Sequence, residues 1–528
     1  MRNFKITVAA ISAALLVAAC GGGGGGPLGT QVSAPTRGQL MQSPPPRITA
    51  LTAADFTAAL GASASGVGLM QVAGTPTCGV DVQYIKYGTV GGAGEATTAS
   101  GALMVPTGSA AACTGARPIL VYAHGTNPTK SFNMANWVDP TNPAYSESLL
   151  VAAMFAAQGY IVVAPNYAGY DSSTLGYHPY LNADQQSKEM IDALKAAKAA
   201  LPTLLSPTTA SAKLFVSGYS QGGHVAMATQ RAMEAAGIVV TAAAPMSGPY
   251  AMSVMSDAIF AGDVDLGSTE FLPLITTSYQ KAYNNLYTTP SDIYESNYAT
   301  GIETLMPGTF DDTTLFSSGK LPLTALFNST PPDPMFASIT PPTGTGATDA
   351  LFALGFGTSN LIKNSARLAY LMDAMANPDQ GFAPAAAPAS PFRQAAKIND
   401  LRTGWATTGT PMKAPMLLCG GNGDPTVFWQ ANAQVMQAVW APYVAAGLVT
   451  VLDVDSLATS SGPATDPFYA AKAGFAQLET ATATAAATAA GGGAAGAAAA
   501  AMAVTVAYHG GLVPPFCTAA ARGFFSQF

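Results

Sequence analysis

A serine framed by glycines, at the junction of an apolar run and a helix-forming run, constrains this chain more than any other feature. Gly218-Tyr219-Ser220-Gln221-Gly222 fits the pattern G-x-S-x-G. With 54 glycines in 528 residues, chance alone supplies roughly 0.4 such matches, so the pattern by itself decides little. Its surroundings decide more. Apolar Leu214–Val216 ends just before it, and the helix-compatible run His224–Ala236 begins just after. A strand–turn–helix of this kind presents a serine hydroxyl at a helix N-terminus, where the backbone potential favours developing negative charge. The glycines permit the tight turn.

The rest of the chain supplies a scaffold for such a turn. Pro118–Ala123, Tyr160–Ala164, Lys213–Ser217, Ile238–Ala242, Pro415–Cys419 and Leu448–Asp453 are short apolar runs, as buried parallel strands should be. Helical patterns lie between them at 146–158, 184–201 and 221–237. An antiparallel pair is expected at 82–87 and 98–105. The alternation predicts an α/β fold with a mostly parallel central sheet flanked by helices. It breaks off after Pro249 and resumes near 411, so the core is expected at 51–250 and 411–528, with an inserted cap or lid at 251–410. Residues 457–503 read as a second insertion: a helix near 468–479, then Ala/Thr/Gly low complexity at 480–503.

A serine needs a base, and the base an orienting acid. After an elbow of this kind the chain order is Ser, acid, His. The chain has four histidines. Beyond the elbow helix only His509 remains, which makes it the candidate base; His224 sits four residues past Ser220 and is expected to pack. Asp424, in the loop after the strand 415–419, is the preferred acid, with Asp453 and Asp455 as rivals near the next strand. The oxyanion hole requires two N–H groups. One is expected from Gln221. The other is expected from the loop after the first buried parallel strand, at Thr126 or Gly125. His124 and His178 are expected to be structural, and Asn166 is not read as catalytic.

Composition excludes other classes. Charged residues are 10% of the chain and the net charge is −7, which leaves no basic surface for nucleic acid. No HExxH, CxxC or Cys/His cluster offers a metal site, and no cofactor is implied. The N-terminus reads as an address. A basic start precedes the apolar run Ile6–Ala19, and Val17-Ala18-Ala19-Cys20 resembles the lipobox of bacterial lipoprotein signals. That resemblance implies cleavage after residue 19 and lipidation of Cys20, and a Gly/Pro-rich tether is expected over 20–50. Export to a bacterial, outer-membrane or periplasmic location follows, with the membrane touched only through the anchor. No other stretch reads as a membrane span. Four further cysteines in an exported chain suggest two disulfides. Of the three possible pairings, Cys78–Cys113 and Cys419–Cys517 are favoured.

The set His124-Gly125, Gly159–Gly169, His178–Leu181, the elbow, Ala244–Tyr250, Gly423-Asp424 and His509-Gly510 resembles the α/β-hydrolase superfamily, and within it secreted lipases and carboxylesterases of the secretory-lipase kind. The resemblance covers about 80–250 and 400–528. It implies a Ser220–Asp424–His509 triad and cleavage of small-molecule or lipid carboxylic esters; no protein partner is implied. Alternatives are the same chemistry on a polyester, feruloyl ester or peptide, or a non-catalytic surface lipoprotein that kept the fold. Within the cap, Phe271, Leu272, Leu274, Ile275, Tyr279, Tyr283, Leu286 and Tyr287 have the spacing of an apolar face that either lines a pocket or packs the cap.

Overall fold

A computed structural model describes residues 34–343, 348–405 and 411–528. The expected signal run, Cys20 and the glycine run lie outside the described residues, as does the expected cap boundary at 410. Nine strands form one sheet: β1 Arg47–Leu51, β2 Gly79–Val90, β3 Ala96–Thr107, β4 Gly115–Ala123, β5 Ile161–Pro165, β6 Thr208–Tyr219, β7 Ala242–Met246, β8 Met416–Gly420 and β9 Val449–Asp453. Their order is β1-β2-β3-β5-β4-β6-β7-β8-β9. The first three strands are antiparallel to their neighbours, and the other six are parallel. β5, β7, β8 and the C-terminal halves of β4 and β6 are buried on both faces, which is why they read as unbroken apolar runs.

Three expectations need correction. The strand expected at 238–242 lies at 242–246. Ile238 N–H instead closes the preceding helix on Met233 O at 2.8 Å, and Val239 is 79% exposed. Small residues form the strand because β7 passes close behind the elbow. Second, the tether does not extend to residue 50. Gly38 and Met41 donate to Gly88 O and Lys86 O, and β1 pairs with β2, so this edge is covered. Third, 480–503 is helical. Helices Tyr469–Ala489 and Gly493–Ala507 fold back on one another across a turn at Gly491–Gly493, all three with positive φ. Alanine is the strongest helix former, and low complexity does not diminish that.

The helical stretch Gly493–Phe525 is long and apolar enough to cross a bilayer, unlike what the sequence reading held. Its C-terminal part is nevertheless a core element: Val513, Phe516, Cys517, Ala521 and Phe525 are buried in the main core. Cys517 is bonded to Cys419 at the end of β8, and Cys78 to Cys113, the two pairings expected. Between β7 and β8, helices from Met252–Ala261 to Pro391–Ile398 build a separate apolar core that includes Phe260, Leu274, Tyr279, Phe327 and Tyr370.

The Cys419–Cys517 bond closes a sequence separation of 98 residues. Replacing both cysteines by serine is expected to cost about 2–5 kcal/mol, read as a lower denaturant midpoint than that of the unreduced parent. Coincident unfolding curves would contradict it.

Candidate active site

The elbow is a crowded crossing of three strands and a helix. Ser220 has φ 60° and ψ −122°, a strained conformation for a residue with a side chain. It is held by its own N–H on Met246 O at 3.0 Å and by Gly223 N–H on its carbonyl at 2.8 Å. A Cβ on Gly222 would lie 2.0 Å from Ala123 O, and one on Gly223 2.4 Å from Met246 O. The glycines let the helix Gln221–Ala235 press against β4 and β7, and this tilts Ser220 up from the sheet.

His509 reaches the serine from a π-helical turn, Tyr508–Leu512, between two helices. Its Nε2 is 2.8 Å from Ser220 Oγ, and its Nδ1 is 2.7 Å from Asp424 Oδ2. A carboxylate can only accept, so Nδ1 carries the proton and Nε2 is free to accept from the serine. The other oxygen of Asp424 accepts N–H groups of Thr426 and Val427 at 2.9 and 3.0 Å. Tyr219 OH donates to His509 O at 2.6 Å.

The rival acids are occupied elsewhere. Asp453 accepts from Asn422. Asp455 accepts from Tyr508 OH at 2.7 Å, and that same hydroxyl accepts Gly423 N–H at 3.0 Å. Tyr508 thus ties the acid loop to the histidine turn. Its aromatic ring next to His509 in sequence was the available signal.

The N–H of Gly125 is not free for an oxyanion. It donates to both oxygens of Glu147, at 3.1 and 3.3 Å, and Glu147 also accepts from Tyr122 OH at 3.0 Å. Of the two expected donors in this loop, Thr126 N–H therefore remains. The Thr126 hydroxyl is engaged with Tyr180 OH at 2.7 Å. Gln221, the other expected donor, opens the elbow helix, and its side-chain amide donates to His178 Nε2 at 2.6 Å. Sequence reasoning missed Glu147, since an exposed-looking glutamate in a helix first turn carries no signal of a loop contact.

The remaining histidines are structural. His124 is stacked between Phe132 and Tyr167, with ring centroids 4.1 and 4.0 Å away, and its nitrogens face Gly125 O and Asn166 O. Burial pulls it down to about 4. Burial likewise lowers His178 to about 3 and His224 to about 4. His224 Nε2 bonds Asn399 O at 3.0 Å. Asn166 accepts from Met134 N–H and donates to Ser100 Oγ, a scaffold role.

Two cavities meet at Ser220. An inner one, partly open to solvent, lies beneath the cap and is walled by Met252, Phe260, Phe271, Leu272 and Ile275. An outer groove runs between the helices near Leu60–Val72 and the helices Tyr469–Ala489 and Val513–Phe525, and both Glu147 and Glu270 border it. The cap face thus divides: Phe271, Leu272 and Ile275 reach the cavity, while Leu274, Tyr279, Leu286 and Tyr287 pack the cap core and Tyr283 accepts from Asn399. No group of three His, Cys, Asp or Glu side chains suited to a metal occurs among the described residues.

Comparison with known proteins agrees with the fold. Residues 145–326 match the prolyl oligopeptidase family of S9 peptidases. The rice cell wall degrading esterase LipA from Xanthomonas oryzae is similar over 82% of this chain and 93% of its own, at 27% identity and a TM-score of 0.60, and its ligand-bound form matches equally well. A Legionella pneumophila protein shares the fold at 21% identity and a TM-score of 0.57, over 79% of this chain and 91% of its own. No curated protein matches.

Two outcomes follow from the geometry. Gly222→Ala is expected to cost at least about 3 kcal/mol, because the clash is with backbone; an unchanged denaturation midpoint would contradict it. Glu270, at the groove wall, is held up to about 8 by burial and by the neighbouring Asp312. A raised carboxyl stabilises the fold fully below its unfolded value near 4.5, and that contribution is lost as pH rises through 8. Glu270→Gln should therefore flatten the decline of stability between those limits, read as melting temperature against pH for both proteins.

Proposed function

We propose that this chain, an α/β-hydrolase resembling lipases and esterases and a serine hydrolase by its site, cleaves carboxylic esters through an acyl-enzyme on Ser220. The observation that carries this reading is the unbroken hydrogen-bond chain from Ser220 Oγ through the His509 ring to Asp424. The likeness to an esterase over most of both chains supports the ester.

In this reading His509 Nε2 takes the hydroxyl proton as Ser220 Oγ attacks the ester carbonyl. Asp424 keeps the ring in the required tautomer and stabilises its cationic form. The N–H groups of Gln221 and Thr126 receive the oxyanion. The C–O bond to the alcohol then breaks, and His509 gives that proton to the departing oxygen. Water, deprotonated by the same ring, releases the acid and restores the serine. The apolar inner cavity suits the acyl chain, and the wider outer groove suits the alcohol. Glu147 is a positioning residue: by holding Gly125 N–H it turns the next peptide so that Thr126 N–H is left for the oxyanion.

A peptide or amide substrate is the second reading, favoured by the match to the prolyl oligopeptidase family. Export with a lipid anchor on Cys20 is also proposed. Two disulfides, which persist in oxidising compartments, support export.

A panel of nitrophenyl esters beside aminoacyl anilides separates the readings, and faster anilide turnover would reject the ester. Ser220→Ala should lower kcat/KM by about 10⁴ or more and abolish labelling by a fluorophosphonate; equal turnover by the variant would sink the proposal. Glu147→Leu should lower kcat about 10-fold, or ~1.4 kcal/mol, with little change in KM. Glu147→Gln, which keeps an acceptor for Gly125, should recover most of the loss. A purely structural role would instead lower the melting temperature without this kcat-specific pattern.

A further inference from the structure

The inner cavity holds a buried carboxyl. Asp265 stands just before the cap helix Ser268–Tyr283 and borders the same cavity as Ser220. It is 5% exposed, among walls that are otherwise largely apolar. Its Oδ1 accepts from Ser268 Oγ, and no basic side chain acts on it. Burial pushes its carboxyl up to about 7; the Ser268 hydroxyl and its own backbone N–H oppose the shift, and the Asp424 carboxylate adds to it. Leu266 N–H bonds Pro425 O at 3.1 Å, so the loop of Asp265 is docked on the loop that carries the catalytic acid. A carboxyl dehydrated without a counter-charge opposes folding. A leucine would suit these walls better, so what is gained must lie in what enters the cavity.

We propose that Asp265, with Ser268 beside it, is a polar subsite that accepts a hydrogen bond from a hydroxyl carried on the acyl chain, which makes the substrates esters of hydroxy-substituted aliphatic acids. The inference rests on the reading of Ser220 as an acylated nucleophile and names the acid half of its substrate. An unsubstituted chain filling the cavity returns no donor to Asp265. A hydroxylated chain of the right length restores one. A site built to hydrogen-bond a substrate hydroxyl discriminates against the analogue lacking it, because the buried acceptor is then left unpaired. The Asp265 carboxyl offers an acceptor oxygen in both protonation states, so the preference persists on either side of neutral pH.

The test compares nitrophenyl esters of straight-chain acids, butanoic to octanoic, with their hydroxy-substituted counterparts. At least one hydroxyacyl ester should exceed its unsubstituted partner in kcat/KM by about 10-fold or more. That ratio should collapse towards one in Asp265→Leu and fall partway in Asp265→Asn, which keeps an acceptor. Where a leucine prevents folding, judged by its thermal melt, the ratios of Asp265→Asn and Ser268→Ala carry the same test. A wild-type protein that turns over both series without preference overturns this inference alone, as does a preference that survives every variant. Absence of turnover on either series, with no adduct at Ser220, overturns the hydrolase reading beneath it.

Discussion

Everything in this structure serves one hydrogen bond, between Ser220 Oγ and His509 Nε2, whose partners are 289 residues apart in the chain. A bond of that reach needs fixed ends. The serine end is fixed by backbone: φ of Ser220 is positive, and glycines at 222 and 223 let strand and helix approach to distances that no Cβ tolerates. The histidine end is fixed by side chains from three directions. Asp424 holds Nδ1, Tyr219 holds the carbonyl, and Tyr508 clamps the turn to the acid loop. The Cys419–Cys517 bond then joins the strand that leads to the acid with the helix that follows the base. Strain at one end is tolerable only because the other end is over-determined.

What the sequence revealed divides along physical lines. Ser220, Asp424 and His509 were legible because their chemistry is scarce: four histidines, one in the required order, and one aspartate in the right loop. The parallel strands were legible because burial on both faces leaves an unbroken apolar run. The strand after the elbow was misplaced because its neighbours demand alanines, and Ala242–Ala244 carry less strand signal than the Ile238–Val240 run beside them. The helices of 480–507 were missed because low complexity suggests disorder, while helix propensity depends only on residue type. Glu147 could not be found by pattern at all. Its role depends on where one backbone N–H points, a property of the folded loop.

The handling of buried charge separates scaffold from site. In the cap, Arg393 is paired with Asp257 and Asp373, and Arg402 with Asp379 and Asp400, all within 3.0 Å. Arg367, lacking an acid, donates to the carbonyls of Phe260 and Ile339 and lies 4.5 Å from the centre of the Phe327 ring. Around Ser220 the pattern reverses. Burial pushes Glu147, Asp265 and Glu270 up, and no arginine or lysine figures among the causes. Away from the site, Glu189 is treated similarly, but it is held by Gln185 and Tyr87 inside the core.

This reversal is consistent with the chemistry. A cation beside Ser220 would attract the carboxylate product and lower the basicity of His509 by like-charge repulsion with its protonated form. Partly protonated carboxyls do neither. In the hydrolase reading proposed above, they would supply acceptors to a loop N–H group and, in the inner cavity, to a substrate hydroxyl, while their charge would repel a released carboxylic acid. Three of the chain's buried carboxyls without a basic partner border the two cavities that meet at Ser220, while the buried Arg393 and Arg402 of the cap are paired with acids.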